Sequence, residues 1–312
     1  MITLVSAPVP PVQLDLAQLR RRFVRAAAAP EAYDKAAVLQ HEVARRMLER
    51  LDYIKLEPGI VIDAGCGTGH ALNGLLGRFP DARFLAVDSA LTMLGRARHA
   101  AGASAVPAWM RRWLPSGAVQ PVAADFGRLP LPDASVGCIW SNLALHWAGD
   151  PPATFAEWHR VLVTEGLVLF SMLGPDTLKE LRAAWGPRGE AHVHAFIDMH
   201  DVGDMLVHAG FADPVMDMET ITLTYRHLDG LFTDLRAAGS TNALVARSRG
   251  LAGKNAWRTM RAAYEAMRRD GTLPATFEII YGHAWKPQPR PGRDGAFVVR
   301  VEDIGRGGHG RR

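Results

Sequence analysis

Cysteine is scarce in this sequence: 312 residues hold two, Cys66 and Cys138, and no C-x-x-C pair. That excludes a disulfide framework and points to a reducing, cytoplasmic setting. Long apolar runs are missing too. None reaches the length of a bilayer span, so no membrane contact is expected. The start has neither the basic leader nor the apolar core of a signal peptide. Arg20, Arg21, Arg22 and Arg25 come early enough for a transit peptide, but Asp15 and the prolines Pro8, Pro10 and Pro11 argue against one. Zinc-finger spacing and the aromatic-basic interleaving of an RNA-binding sheet are absent, so no nucleic-acid partner is expected. His192 and His194 have no further Cys, His or acid at ligand spacing, so no metal is expected. Neither charge sign dominates. Lys and Arg number 36, Asp and Glu 32, for a net charge of +4 and a pI of about 9.3. The excess reads first as solvation, with an acidic partner surface as the alternative.

Two nucleotide-loop signatures are also lacking. There is no G-x-x-x-x-G-K-[ST] phosphate loop. The dinucleotide fingerprint G-x-G-x-x-G fails in both registers: counted from Gly65 its third small residue falls on His70, and counted from Gly67 it falls on Leu72. What stands there is an apolar run, Ile60-Val61-Ile62, then Asp63, then Gly65, Gly67 and Gly69 at alternate positions. Ala71, Leu72, Leu75 and Leu76 follow at helical spacing. The pattern predicts strand, tight turn, helix. Such a turn lets backbone approach a ligand and aims helix N-terminal N–H groups at it.

Hydrophobic residues make up 48% and charged residues 22%, which suits one large α/β domain or one domain with an insertion. Residues 1–12 read as a loose proline-rich tail and 287–312 as a second tail rich in Pro, Gly and Arg. Residues 13–286 form the domain between them, with a core at 61–172. Leu14–Ala29 and Glu31–Tyr53 are predicted helices, the second opened by Tyr33-Asp34. Strands are predicted at Arg83–Val87, Val119–Ala123, Val136–Trp140 and Leu167–Met172, with a turn at Gly166 and a helix over Phe155–Leu162. Residues 102–117, with Trp109 and Trp113, read as an insertion that offers a contact patch or local packing. Later come a helix at Val202–Ala209 and strands at Pro214–Tyr225 and Thr276–Trp285. Strands alternating with helices indicate a doubly wound, mostly parallel sheet. Helices at Leu228–Gly239 and Asn255–Arg269 have no place in a minimal sheet. They read as a lid over about 227–272, made basic by Arg247, Arg249, Lys254, Arg258, Arg261, Arg268 and Arg269.

Acids recur at the strand tips. Asp88 ends the second strand, 19 positions beyond Gly69, where an acid accepts hydrogen bonds from ribose hydroxyls. Asp125 ends the third, followed by Phe126, a pairing that suits the exocyclic amine and the ring of adenine. Met93 packs on adenine or sits in the core. Asn142 ends the fourth strand, with His146 and Trp147 just past it, where ligands of open α/β sheets bind.

The acid-led D-x-G-x-G-x-G run resembles the first motif of the S-adenosyl-L-methionine-dependent methyltransferases with a Rossmann-like sheet. The resemblance implies that the glycine turn lies against the methionine portion and that a carboxylate, here Asp63, faces the cationic cofactor. It also implies a seven-stranded sheet with an antiparallel last strand. Further stretches narrow it: Phe23-Val24-Arg25-Ala26-Ala27 with Tyr33-Asp34 and Leu39-Gln40, Ser141 to Trp147, Gly174 to Leu181, Phe196 to Asp201 with Ala209-Gly210-Phe211, and Leu235 to Asn242. These resemble the malonyl-[acyl-carrier protein] O-methyltransferase family of biotin synthesis. They also resemble, together with Pro274 to Tyr281, an assembly factor of respiratory complex I, thought to hydroxylate arginine. That alternative, or a non-catalytic scaffold that binds the cofactor, is the less favoured because a convincing transit peptide is missing.

The favoured family implies a monomeric carboxyl O-methyltransferase. Its acidic partner would be an acyl carrier protein bearing malonyl, steered by a basic lid. A malonyl carboxylate is ionised at neutral pH and attacks without a general base. Attack neutralises opposite charges, so a dry pocket favours it. Tyr33, His146 and Trp147 are expected to line that pocket. Tyr33, His146 and Arg182 are candidates to hold the carboxylate, and Asn242 is a further substrate candidate.

Overall fold

The computed structural model describes residues 13–102, 119–247, 250 and 252–288. The tail expected at 1–12, all but the first two residues of the tail expected at 287–312, and the patch around Trp109 and Trp113 lie outside those residues. Seven strands form one sheet: β1 (Ile60–Ala64), β2 (Arg83–Asp88), β3 (Val119–Ala123), β4 (Val136–Ser141), β5 (Leu162–Leu173), β6 (Ala212–Tyr225) and β7 (Leu273–Trp285). Their order is β3-β2-β1-β4-β5-β7-β6. The first five run parallel, and β7 is antiparallel to both of its neighbours. The expected sheet, with its late antiparallel strand, is therefore present.

The central strands are apolar along most of their length, as suits strands covered by helices on both faces, with Asp63, Asp88 and Ser141 at or near their carboxyl ends. Val61, Phe84, Cys138 and Trp140 face a cluster shared with α3 (Val38–Leu51), through Val43 and Met47. Ile62, Leu85 and Ile139 point the other way, into a second cluster. That cluster holds Phe155 and Trp158 of a helix at Pro151–Val161 and Val202 and Leu206 of a helix at Met199–His208. The edge strand β6 alternates half-buried with exposed residues, as a strand with one wet face should.

Two local expectations give way. The helix predicted over Glu31–Tyr53 is broken at Ala37, leaving α2 (Pro30–Ala36) and α3. The break lets α2 meet the glycine turn: the Thr68 hydroxyl donates to Asp34 Oδ1 at 2.7 Å. The turn at Gly166 is instead an irregularity inside β5. Leu162 pairs with Val136 and Leu167 with Cys138, so a bulge absorbs the extra residues, with Glu165 at φ +62°.

Between β6 and β7 the chain leaves the sheet for two helices, at Leu228–Ala237 and Lys254–Glu265. The first helix of the chain, α1 (Leu16–Ala27), joins them from the other end of the sequence. Arg22 donates to the carbonyls of Thr241 and Asn242. Arg247 donates to Asp15 at 2.9 Å and to Gln18. The Arg247–Asp15 pair is only 11% and 21% exposed, so water screens it weakly. Arg247→Ala is expected to lower stability by ~1.5–3 kcal/mol, the range for hydrogen bonds to charged groups. A lower urea midpoint and faster protease cleavage between 238 and 254 would register it. An unchanged midpoint would show that the pair holds nothing.

Candidate active site

A cavity of about 280 Å³ opens at the carboxyl ends of β1, β2 and β4. Its floor is the turn after β1. Gly65, Gly67 and Gly69 have φ of +80°, +52° and +81°, the left-handed region that side chains disfavour. A Cβ on Gly65 would lie 2.5 Å from Ala144 Cβ, and one on Gly69 2.7 Å from Ala97 Cα. Close packing on both sides therefore demands glycine. A Cβ on Gly67 would meet the Tyr33 hydroxyl at 3.3 Å.

Carboxylates gather at this turn. Asp63 is 3% exposed and lines the cavity. Burial, and then the neighbouring Asp88, push its pKa up to about 7. Asp88 lines the cavity as well and ties β2 to the turn. Its Oδ2 accepts from Gly67 N at 3.0 Å and its Oδ1 from Ala90 N at 2.8 Å. Burial still outweighs those bonds and raises its pKa. Met93 is buried with Ala26, Ala27 and Ala90, with Tyr33 packed against them.

The other expected residues divide. Phe126 lines the cavity, while Asp125 beside it is exposed and accepts from Gly127 N at 2.9 Å. Asn142 lines the cavity, but its Nδ2 donates to the Gln40 carbonyl and its Oδ1 accepts from Ser171, both at 2.9 Å. Asn242 lines the far wall and accepts from Leu244 N. Arg182 does not reach the cavity. Its guanidinium donates to the carbonyls of Pro175 at 2.9 Å and His194 at 3.4 Å, so it braces a loop instead of clamping a substrate.

Tyr33, His146 and Trp147 do come together around the cavity. Burial, then Asp88 and Asp34, push the Tyr33 phenol above its ordinary pKa, so it stays protonated. Burial holds the His146 imidazole well below its ordinary pKa, so it is neutral. Its Nδ1 has no hydrogen-bond partner among the described residues. Trp147 stacks on His194 at 5.2 Å and meets Phe23 edge-on at 5.8 Å. Sequence reasoning missed several wall residues: His194, the stacked pair His41 and His70 at 3.6 Å, and Phe232 and Leu235 of the insertion. Only helical spacing at Phe232 and Leu235 hinted at an inward face.

The basic surface expected on the insertion is neutralised in part, while Lys254 and Arg269 stay exposed. Arg247 pairs with Asp15, Arg261 with Asp229 and Arg268 with Glu265, and Arg258 donates to Asn255. Arg249 lies outside the described residues.

Sheet order, glycine turn and strand-tip acids define a methyltransferase domain of the class that uses S-adenosyl-L-methionine. The family model described as a methyltransferase domain matches residues 62–170. The malonyl-[acyl-carrier protein] O-methyltransferase of Gallionella capsiferriformans is 50% identical over 289 residues, 92% of this chain and 97% of that protein. Its namesake in Nitrosospira multiformis is 52% identical over 89% of this chain and 91% of its own length. Among solved structures, the YcgJ protein of Bacillus subtilis superposes with a TM-score of 0.54 at 18% identity, covering 80% of this chain and all of its own. That likeness bears on the fold alone. The chain belongs to the malonyl-[acyl-carrier protein] O-methyltransferase family.

Proposed function

We infer that this chain transfers the methyl group of S-adenosyl-L-methionine to the free carboxylate of malonyl-[acyl-carrier protein]. The ester would enter fatty-acid synthesis toward pimeloyl and biotin. The observation that carries the reading is identity near 50% along almost the whole length of relatives bearing that name. The cavity agrees with it.

The cavity's residues fit the cofactor. A buried carboxyl with a raised pKa, Asp63, calls for a cation. The left-handed glycines keep the floor free of side chains. We assign Asp63 and the Gly65–Gly69 turn to the methionyl end, Asp88 to the ribose, and Met93 and Phe126 to the adenine. Asn142 would orient the wall rather than grip the cofactor. Residues 13–286 work as one domain, with 227–272 as its lid, in a cytoplasmic monomer.

Bound there, the cofactor supplies a methyl group on a positively charged sulfur. The chain's own residues align the malonyl carboxylate and keep water out. Tyr33, held protonated, donates a hydrogen bond to that carboxylate. Neutral His146 offers a second polar contact through its unpartnered Nδ1. Neutral groups suit this reaction, because a full cation would favour the ionised substrate over a transition state in which charge is vanishing. Trp147, backed by Phe23 and His194, closes the wall.

Incubation with the cofactor and malonyl-carrier protein should add one methyl mass to the carrier. No gain, with cofactor bound intact, would reduce the chain to a binding protein. Asp88→Ala should weaken cofactor binding by about tenfold or more, since hydrogen bonds to a charged group are worth ~1.5–3 kcal/mol. Unaltered affinity by calorimetry would refute the ribose assignment.

A further inference from the structure

The insertion has part of its basic charge paired, whereas α1 carries a cluster of arginines beside the active site. The helix carries four arginines and no acid. Arg20, Arg21 and Arg25 are exposed, and among the described residues none of them meets an acidic partner. Val24 shares that outward side, 59% exposed, and Leu16, 50% exposed, lies at its edge beside Gly149. The spacings 16–20–24 and 21–25 put arginine beside apolar surface along the helix. Such a mixture suits a partner with an acidic rim and an apolar centre.

The other side of α1 belongs to the active site. Phe23 lines the main cavity and packs on Trp147. Arg22 bonds the 241–242 carbonyls of the far wall. A second cavity of about 380 Å³ begins beside Gln13 and Leu14, just before the helix. It shares His146 and Phe196 with the main cavity as a common wall. A partner lying along α1 therefore sits next to an opening that leads toward His146.

We propose that the outward face of α1 is the docking surface for the acidic carrier protein that delivers the malonyl group. The proposal rests on the function inferred above. The three arginines steer and hold the carrier, and Leu16 and Val24 supply the apolar contact. The paired arginines of the insertion contribute little.

The test compares R20E/R21E/R25E with the unaltered enzyme on two substrates: malonyl-carrier protein, and malonyl-pantetheine, which has no protein to dock. The triple variant should raise KM for the carrier substrate at least tenfold. Its kcat at saturation, its rate on malonyl-pantetheine and its cofactor affinity should stay unchanged. Salt should raise KM for the unaltered enzyme and barely affect the variant. The insertion variant R261E/R268E, at two arginines already paired with acids, should leave KM for the carrier within twofold. If charge reversal disturbs cofactor binding, R20Q/R21Q/R25Q should still raise that KM, by about threefold. An unchanged KM in the α1 variants, beside a normal rate for the unaltered enzyme, overturns the docking surface alone. An unaltered enzyme that methylates neither substrate overturns the function, and the docking with it.

Discussion

Gly65→Ala should all but abolish cofactor binding while leaving a folded, less stable protein. Two costs combine at this position. A non-glycine residue in left-handed backbone costs ~1–2 kcal/mol, and Gly65 has φ +80°. The new methyl would also lie 2.5 Å from Ala144 Cβ, a separation that atoms do not tolerate. Overpacking of this kind costs roughly 1–3 kcal/mol. Together they reach about 3 kcal/mol, ~100-fold in a binding constant. Relief must come from the turn or from the segment after β4, which carries His146 and Trp147. Either movement spoils the cavity. Calorimetry should find affinity down by about 100-fold, with a lower melting temperature and little stabilisation by cofactor. Gly77→Ala is the control. Nothing lies within 4 Å of a Cβ there and its φ is ordinary for a helix. That change should stabilise the helix at Leu72–Arg78 by ~0.5–1 kcal/mol and leave binding alone. If Gly65→Ala bound cofactor normally, the turn would not be the floor of the site.

The glycine turn was legible in the sequence because its determinants are neighbours along the chain. Strand, acid, glycines and helix fall within residues 60–78, and local pattern sufficed. Asp88 was legible because parallel pairing of adjacent strands puts two carboxyl ends side by side. Asp125 marks where such reasoning stops. Both residues lie in the turn just past β3, beyond the strand's alternation, and Phe126 rather than Asp125 faces the cavity. Spacing alone could not choose between them. The arginines failed for a different reason. Arg247 meets Asp15, 232 positions away, and Arg261 meets Asp229 from the neighbouring helix. Long-range partners leave no mark in local composition, so a basic stretch looked wholly free when part of its charge is paired. The same blindness hid α1, whose arginines are informative only because no described acid answers them. Resemblance pointed to Tyr33, and position past a strand's carboxyl end pointed to His146; the fold then supplied their protonation states through burial.

Cofactor affinity should rise with pH up to about 7 and then level, and Asp63→Asn should erase that dependence. The Asp63 carboxyl is raised from an ordinary 3.8 to about 7, first by burial and then by Asp88. In the ligand-free protein it is therefore protonated at pH 6 and largely ionised at pH 8. A cation bound beside it favours the ionised form and lowers its pKa. Binding below pH 7 must then expel a proton, and affinity should fall toward tenfold for each unit of pH, about 1.4 kcal/mol. Calorimetry in two buffers of different ionisation enthalpy at pH 6 should detect that proton, and at pH 8.5 should detect almost none. Stability of the ligand-free protein carries the opposite sign. A raised carboxyl pKa stabilises the fold fully below 3.8 and loses that contribution as pH rises through 7, when a charge is buried without a cation. Asp63→Asn should accordingly melt higher than the unaltered protein at pH 8 and match it at pH 4. It should bind cofactor at least tenfold more weakly at pH 8, because a carboxylate has become a neutral amide. A flat pH profile for the unaltered enzyme would mean that Asp63 does not face the cofactor's charge.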